Sequence, residues 1–250
     1  PDFLTVNEAA FYRDLGIFIA ILLVQLFYFL LLYLSSKEKT YPPYLLYISG
    51  VLLSAATGYR YHDLFPLQPN NFLFFYLFAF LIAGIGLLAF ALRYLNAKEL
   101  LPTSYKISRW FMYGFVIPPL SLILLQSLNF LPAVRQDAIP ESFMNVLNAV
   151  AQVMAVIMLM STTASLIMTI ILGIQAWRKD YEPAKPFLLG MVILILFIGL
   201  TPVIAVGATW LFFKGLTFQK IIFAAEVGIV LQMIVFALGV GQKIKLLEKE

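Results

Sequence analysis

Apolar residues fill this chain in long blocks, and the charges that interrupt them fall in short clusters. No charge lies between Asp14 and Lys37, Lys39 and Arg60, Asp63 and Arg93, Arg109 and Arg135, Glu141 and Arg178, or Lys185 and Lys214. A last block, about 221–240, holds a single charge, Glu226. Each block is long enough to cross a hydrocarbon core of roughly 30 Å as a helix of about 20 residues. Helix is the expected conformation, because amides in lipid must find partners within their own segment. The pattern of a membrane β-barrel strand, alternating apolar and polar over about ten residues, is absent from the sequence.

Seven helices are therefore expected, at about 12–35, 43–61, 72–95, 109–131, 144–176, 186–212 and 219–242, forming one transmembrane domain over residues 1–250. The intervals carry helix breakers: Tyr41-Pro42-Pro43, Pro66 to Asn71, Leu101-Pro102-Thr103, Ala138 to Ser142, Glu182-Pro183 with Pro186, and Lys214-Gly215. The fifth helix is longer than a bilayer requires at about 1.5 Å per residue, so it is expected to tilt or to project beyond the membrane. The fold class is all-α: a polytopic seven-transmembrane helix bundle.

Charge placement sets the direction. Twelve of the seventeen lysines and arginines fall on one set of connections: Lys37, Lys39, Arg93, Lys98, Lys106, Arg109, Arg178, Lys179, Lys185, Lys243, Lys245 and Lys249. Arg13, Arg60, Arg135, Lys214 and Lys220 fall on the other. The richer side is expected to be cytoplasmic, which puts the N-terminus outside and the C-terminus inside. With acids included, the formal +4 divides into +6 at the cytoplasmic face, −1 outside and −1 for the buried Glu226.

Composition narrows the function classes. Hydrophobic residues make up 62% and charged residues 12%, with a mean hydropathy of +0.92. Soluble domains are about 45–50% apolar and about 25% charged, so a soluble enzyme or a nucleic-acid-binding domain is excluded. The chain has no cysteine and one histidine, His62. That removes disulfides, thiolate zinc sites, iron–sulfur clusters, a cysteine nucleophile and bis-histidine haem. No cofactor and no metal are expected.

The chain opens Pro1-Asp2-Phe3 without an initiator methionine or a signal-peptide pattern, and is expected to be processed or a fragment. The stretch 242–250, QKIKLLEKE, is charged, amphipathic and free of breakers. It reads either as the last helix continuing into the cytoplasm, where 243–250 would start a signalling helix, or as a short basic tail anchoring the helix at the headgroups.

Polar residues within the spans are the candidate site. An intramembrane carboxylate costs several kcal/mol unless paired, protonated or hydrated, which makes Glu226 the sharpest candidate. Arg60 closes the second span on the outer side and could pair with it if those helices are neighbours. Tyr59, Tyr61 and His62 flank Arg60, either as interfacial anchors or as part of an outward pocket. Gln232, Asn148 and Gln152 are candidates for a ligand-binding or polar network, although such side chains also join helices at roughly 0.6 kcal/mol each. The cluster Ser161, Thr162, Thr163, Ser165 and Thr169 reads as packing, and Pro118-Pro119 and Pro202 should bend their helices.

A retinal protein would need a lysine in the middle of the seventh helix, where this chain has only Lys220 at the outer edge. No carboxylate pair, nucleophile–base set or phosphate loop occurs, and no catalytic residue is assigned. Gly84-Ile85-Gly86 and Gly239-Val240-Gly241 read as close-packing points inside helices.

Four stretches carry a family resemblance. They are Phe11-Tyr12 through LSSKEKTY at 34–41, FALRYLN at 90–96 followed by Leu101-Pro102, YEPAKPFLLG at 181–190, and GIVLQMIVFALGVGQKI at 228–244. In order and spacing they resemble the seven-transmembrane module of bacterial receptors with diverse intracellular signalling modules, over about residues 10–246. The family tends to carry glutamate where this chain has Gln232; the nearest acid here is Glu226.

In that family the seven helices usually follow an extracellular ligand-binding domain and precede a cytoplasmic kinase, cyclase or phosphatase. The resemblance implies a bacterial sensor or receptor module that passes an external signal through its last helix, without enzymatic activity of its own. The output would lie in a region outside this chain or in a cytoplasmic signalling partner. A structural or accessory subunit of a larger membrane complex is the alternative. Expected partners are the lipid bilayer and a second copy or other membrane subunits, with no nucleic acid; the expected location is the bacterial cytoplasmic membrane.

Overall fold

Prolines stand in the first turn of four of the helices. In a computed structural model, which describes residues 2–58, 69–114, 141–210 and 218–247, α1 spans Asp2–Ser36, α2 Tyr41–Gly58, α3 Pro69–Tyr94 and the single turn α4 Ala97–Leu100. A helix over 102–114 is α5; α6 spans Glu141–Trp177, α7 Ala184–Trp210 and α8 Phe218–Leu247. Pro42 and Pro43, Pro69, Pro102 and Pro186 all stand in a first turn, where a missing N–H costs nothing and the fixed φ suits the helix. Helix boundaries consequently sit a few residues outside the expected spans. The largest differences are at α1, which starts at Asp2 rather than about 12, and at α5, which starts at residue 102 because Thr103, Ser104 and Lys106 extend the helix beyond the charge-free block.

Left-handed residues close three helices. Lys37, Asn96 and Asp180 have φ of 55°, 48° and 57°. Lys37 N–H donates to the Tyr33 carbonyl at 2.8 Å, a single bond from the left-handed residue back four positions. At the end of α6, Asp180 N–H donates to Trp177 O at 3.0 Å and Tyr181 N–H to Ala176 O at 3.2 Å, the paired bonds of a Schellman closure.

All described secondary structure is helical. Among the described residues Arg13–Ser36, Met160–Trp177 and Glu226–Ile244 are long and apolar enough to cross a membrane, and Phe78–Tyr94 and Ala184–Phe197 are shorter apolar helices. The helices are inside out relative to a soluble protein. Val24, Leu31, Met160 and Leu238 are each at least 65% exposed, while Ser161, Ser165, Thr169, Glu226 and Gln232 are buried. Water would penalise such an apolar exterior; lipid does not.

The chain divides into two compact units. One comprises Glu38–Phe90 and Pro102–Thr169. Within it α2 and α3 run antiparallel at backbone contact. A Cβ on Gly50 would strike the Ala83 backbone, and one on Gly86 would strike the Tyr47 backbone. Small residues permit this approach, which gives packing in lipid where no hydrophobic driving force exists. On the opposite side of α3, Gly84 faces Ser165 and Thr162 of α6. Ser165 Oγ donates to Thr162 O at 2.7 Å and Thr169 Oγ1 to Ser165 O at 2.8 Å, so these hydroxyls bond along their own helix. Gly84 and Gly86 are therefore packing points.

The other unit comprises Pro1–Lys37, Ala91–Leu101 and Ile170–Glu250. It contains α1, the end of α3, α4, the end of α6, α7 and α8, with α1 touching α8. It also contains Glu226 and Gln232 of the candidate residues.

Candidate functional site

One face of α8 is built to meet α7. Gly228, Gln232, Phe236, Gly239, Val240 and Lys243 are buried, at the three- and four-residue spacing of a helix face, whereas Leu231, Ile234 and Leu238 are exposed. The facing pairs are Gly228 with Phe197, Gln232 with Met191, Gly190 with Phe236, and Gly239 with Pro186. Numbers rise on α8 as they fall on α7, so the two helices are antiparallel. Each glycine accommodates a large partner: a Cβ on Gly228 would lie against the Cβ of Phe197, which cannot swing away.

Near the end of α8 this seam runs into an aromatic stack. The Phe236 and Phe187 rings are parallel at 5.2 Å, and the Phe187 and Tyr94 rings stack at 5.7 Å. Three helices are thereby joined: α8, α7 and the last residue of α3. All three rings are nearly inaccessible to solvent.

Beyond the stack, polar groups converge on the turn 93–101 between α3 and α5. The left-handed Asn96 ends α3 and starts α4: its N–H donates to Arg93 O at 3.3 Å, and its carbonyl accepts Glu99 N–H at 3.0 Å and Leu100 N–H at 3.1 Å. Lys243, only 6% exposed, reaches in from α8. Its Nζ donates to Arg93 O at 3.0 Å and to Asn96 Oδ1 at 3.3 Å, and lies 5.6 Å from the Tyr94 ring centroid. Tyr181 Oη donates to Tyr94 O at 3.3 Å, and Lys179 Nζ donates to Leu100 O. The carbonyl end of a helix carries partial negative charge, so cations are favoured here. The turn gathers donors from the α6–α7 junction and from α8.

The sequence candidates are placed unevenly. Glu226 is buried in the third turn of α8. Gln232 is fully buried on the seam, its Nε2 4.0 Å from Met191 Sδ. Gln152 is exposed on α6, and Asn148 belongs to the same helix, its side chain outside what the structure describes. Tyr59, Arg60, Tyr61 and His62 lie outside the described residues, and with them the Arg60–Glu226 pairing. Among the described residues no group of three or more His, Asp or Glu side chains could hold a metal.

Sequence reasoning counted Lys243 as one of twelve charges setting orientation and as part of the 242–250 stretch, read as a signalling helix or a basic tail, and not as a site residue. Its signal was its register: it continues the 228, 232, 236, 239 face of α8, so an exposed tail lysine was the less consistent assignment. Three of the four stretches behind the family resemblance, 90–96, 181–190 and 228–244, supply every side chain named at this junction except Lys179, and Met191 and Phe197 in its extension along α7.

A family model described as 7TM diverse intracellular signalling matches residues 12–243. No curated protein and no solved structure gives a match.

Proposed function

We propose, from the premise that this chain belongs to the 7TM diverse intracellular signalling family, that it transmits a stimulus across the membrane by moving the end of α8 against the 93–101 turn. The family implies a transmembrane signalling module; the route through α8 is our reading. The observation that carries it is the buried Lys243, which ties the last helix to Arg93 and Asn96.

The chemistry suits a two-state contact. A hydrogen bond from a charged group is worth about 1.5–3 kcal/mol, and a cation over a ring adds about 0.5–2 kcal/mol. Coupling between distant sites typically amounts to about 1–3 kcal/mol. Making or breaking this one contact is thus on the scale needed to bias two helix arrangements. With 30 residues, α8 is a rod of about 45 Å that carries a displacement along its whole length.

In this reading seven spans cross a bacterial cytoplasmic membrane, with the N-terminus outside and the C-terminus inside. The 93–101 turn, the α6–α7 junction and the end of α8 then share the cytoplasmic face. The module performs no catalysis, and a cytoplasmic partner or output region reads the helix.

The test is to attach a reporter output after Glu250 and lengthen the linker one residue at a time. Output that rises and falls with the helical repeat supports transmission through α8; output indifferent to linker phase overturns it. Single cysteines at positions 38 and 98, in this cysteine-free chain, should label only from the cytoplasm.

A further inference from the structure

We propose that the exposed side of α5 binds the phosphate headgroup of an anionic phospholipid. Lys106, Arg109, Trp110 and Tyr113 recur at helical spacing and all are exposed, Trp110 at 78%, while Ser108 on the other side is fully buried. No acidic residue occurs between Glu99 and Asp137 in the sequence, so the helix offers two cations and no carboxylate of its own.

Arg109 is held in a particular pose. Its guanidinium carbon lies 5.7 Å from the Tyr105 ring centroid and 5.5 Å from that of Tyr113, one helical turn to either side. One terminal nitrogen also donates to Tyr113 Oη. Two phenol rings thus orient a planar fork whose geometry matches a phosphate bidentately. Lys106 adds a second positive charge one turn away from Trp110.

The surrounding surface selects a lipid over a soluble anion or an acidic protein. Ile107, 54% exposed, and Trp110 stand beside the cations. A water-borne phosphate would leave both in water. A phospholipid presents a phosphate and the start of an acyl chain side by side, and tryptophan and tyrosine favour that boundary. The proposal requires only that the chain sit in a membrane, so it is independent of how α8 signals.

Native mass spectrometry of the full chain, offered phosphatidylglycerol and phosphatidylcholine in equal amounts with identical acyl chains, tests this. We expect wild type to retain the anionic lipid about fivefold over the neutral one, the scale one basic side chain provides at a charged surface. Lys106→Gln with Arg109→Gln should bring the ratio near one, and Arg109→Lys should fall between. An equal ratio in wild type, or an unchanged ratio in the double variant, overturns the proposal. Displacement of the lipid by millimolar glycerol phosphate also overturns it, in favour of a soluble phosphate ligand. Should the double variant fail to fold, the site can be read intact with Trp177→Phe and Trp210→Phe, which leave Trp110 as the sole tryptophan. Brominated phosphatidylglycerol should then quench its fluorescence more than brominated phosphatidylcholine; equal quenching overturns the proposal.

Discussion

Lys243 Nζ and the Arg93 carbonyl oxygen lie 3.0 Å apart although 150 residues separate them in the chain. The contact closes the carbonyl end of α3 with a cation from α8, and it is the feature most directly linked to the proposed movement. Lys243→Met retains the length of the side chain and removes its donors. Loss of a charged hydrogen bond at a buried site should cost about 2 kcal/mol. The melting temperature in detergent should fall by a few degrees, with Lys243→Arg intermediate. In a reporter fusion the variant should shift the unstimulated output. Unchanged stability and output in Lys243→Met would separate the contact from function.

Asn96 contributes in two ways that substitution can separate. Its φ of 48° disfavours residues with a β-carbon, and its Oδ1 accepts from Lys243. Asn96→Gly keeps the backbone permissive and loses only the side-chain acceptor. Asn96→Ala loses both, so it should be less stable than Asn96→Gly by about 1 kcal/mol. Chemical denaturation of the two variants measures the difference; equal stability would mean the left-handed turn exerts no strain.

The apolar blocks of the long helices were legible in the sequence because charges are unwelcome in lipid, but the helix ends were not: α1 runs on through Asp14, Arg13 and Glu8 to Asp2, and α8 through Lys243 and Lys245. The partners of those helices were much less legible. An apolar helix presents the same periodicity to a neighbour as to lipid, so Leu238, exposed, and Phe236, buried, are equivalent by composition. What distinguishes them is shape: Phe236 fits over Gly190, and that match exists only once α7 is placed. Charge was misleading for the same reason. Lys243 shares its composition class with Lys37, which is exposed, and only its alignment with Gly228, Gln232 and Phe236 on one face marks it as buried. Glu226 and Gln232 were legible because an acid or an amide inside an apolar block is conspicuous.

Gly239 and Gly241 are two residues apart on α8 and should respond oppositely to alanine. A Cβ at Gly239 would press on Tyr94 Oη at 2.6 Å and on Pro186 at 3.4 Å. Nothing lies within 4 Å of one at Gly241. Gly239→Ala should therefore destabilise by about 1–3 kcal/mol through overpacking. Gly241→Ala should be neutral or stabilising by up to about 1 kcal/mol, because alanine is the better helix former. Thermal unfolding of the pair checks the sign of each, and destabilisation by Gly241→Ala would show that the end of α8 meets a neighbour there.

Glu226 supplies the remaining test of the polar interior. The residue is 6% exposed in an apolar helix, whereas Leu231 on the same helix is 40% exposed. By burial of apolar surface alone, Leu231→Ala should be the costlier change and Glu226→Leu should be favourable. A carboxyl held by a polar partner reverses that order, because removing it strands the partner at about 1–3 kcal/mol. We expect the reversal: Glu226→Leu should lower the folded yield and melting temperature more than Leu231→Ala, with Glu226→Gln closer to wild type since it keeps a hydrogen-bonding group. Glu226→Leu equal to wild type in both folding and reporter output would remove this residue from the site.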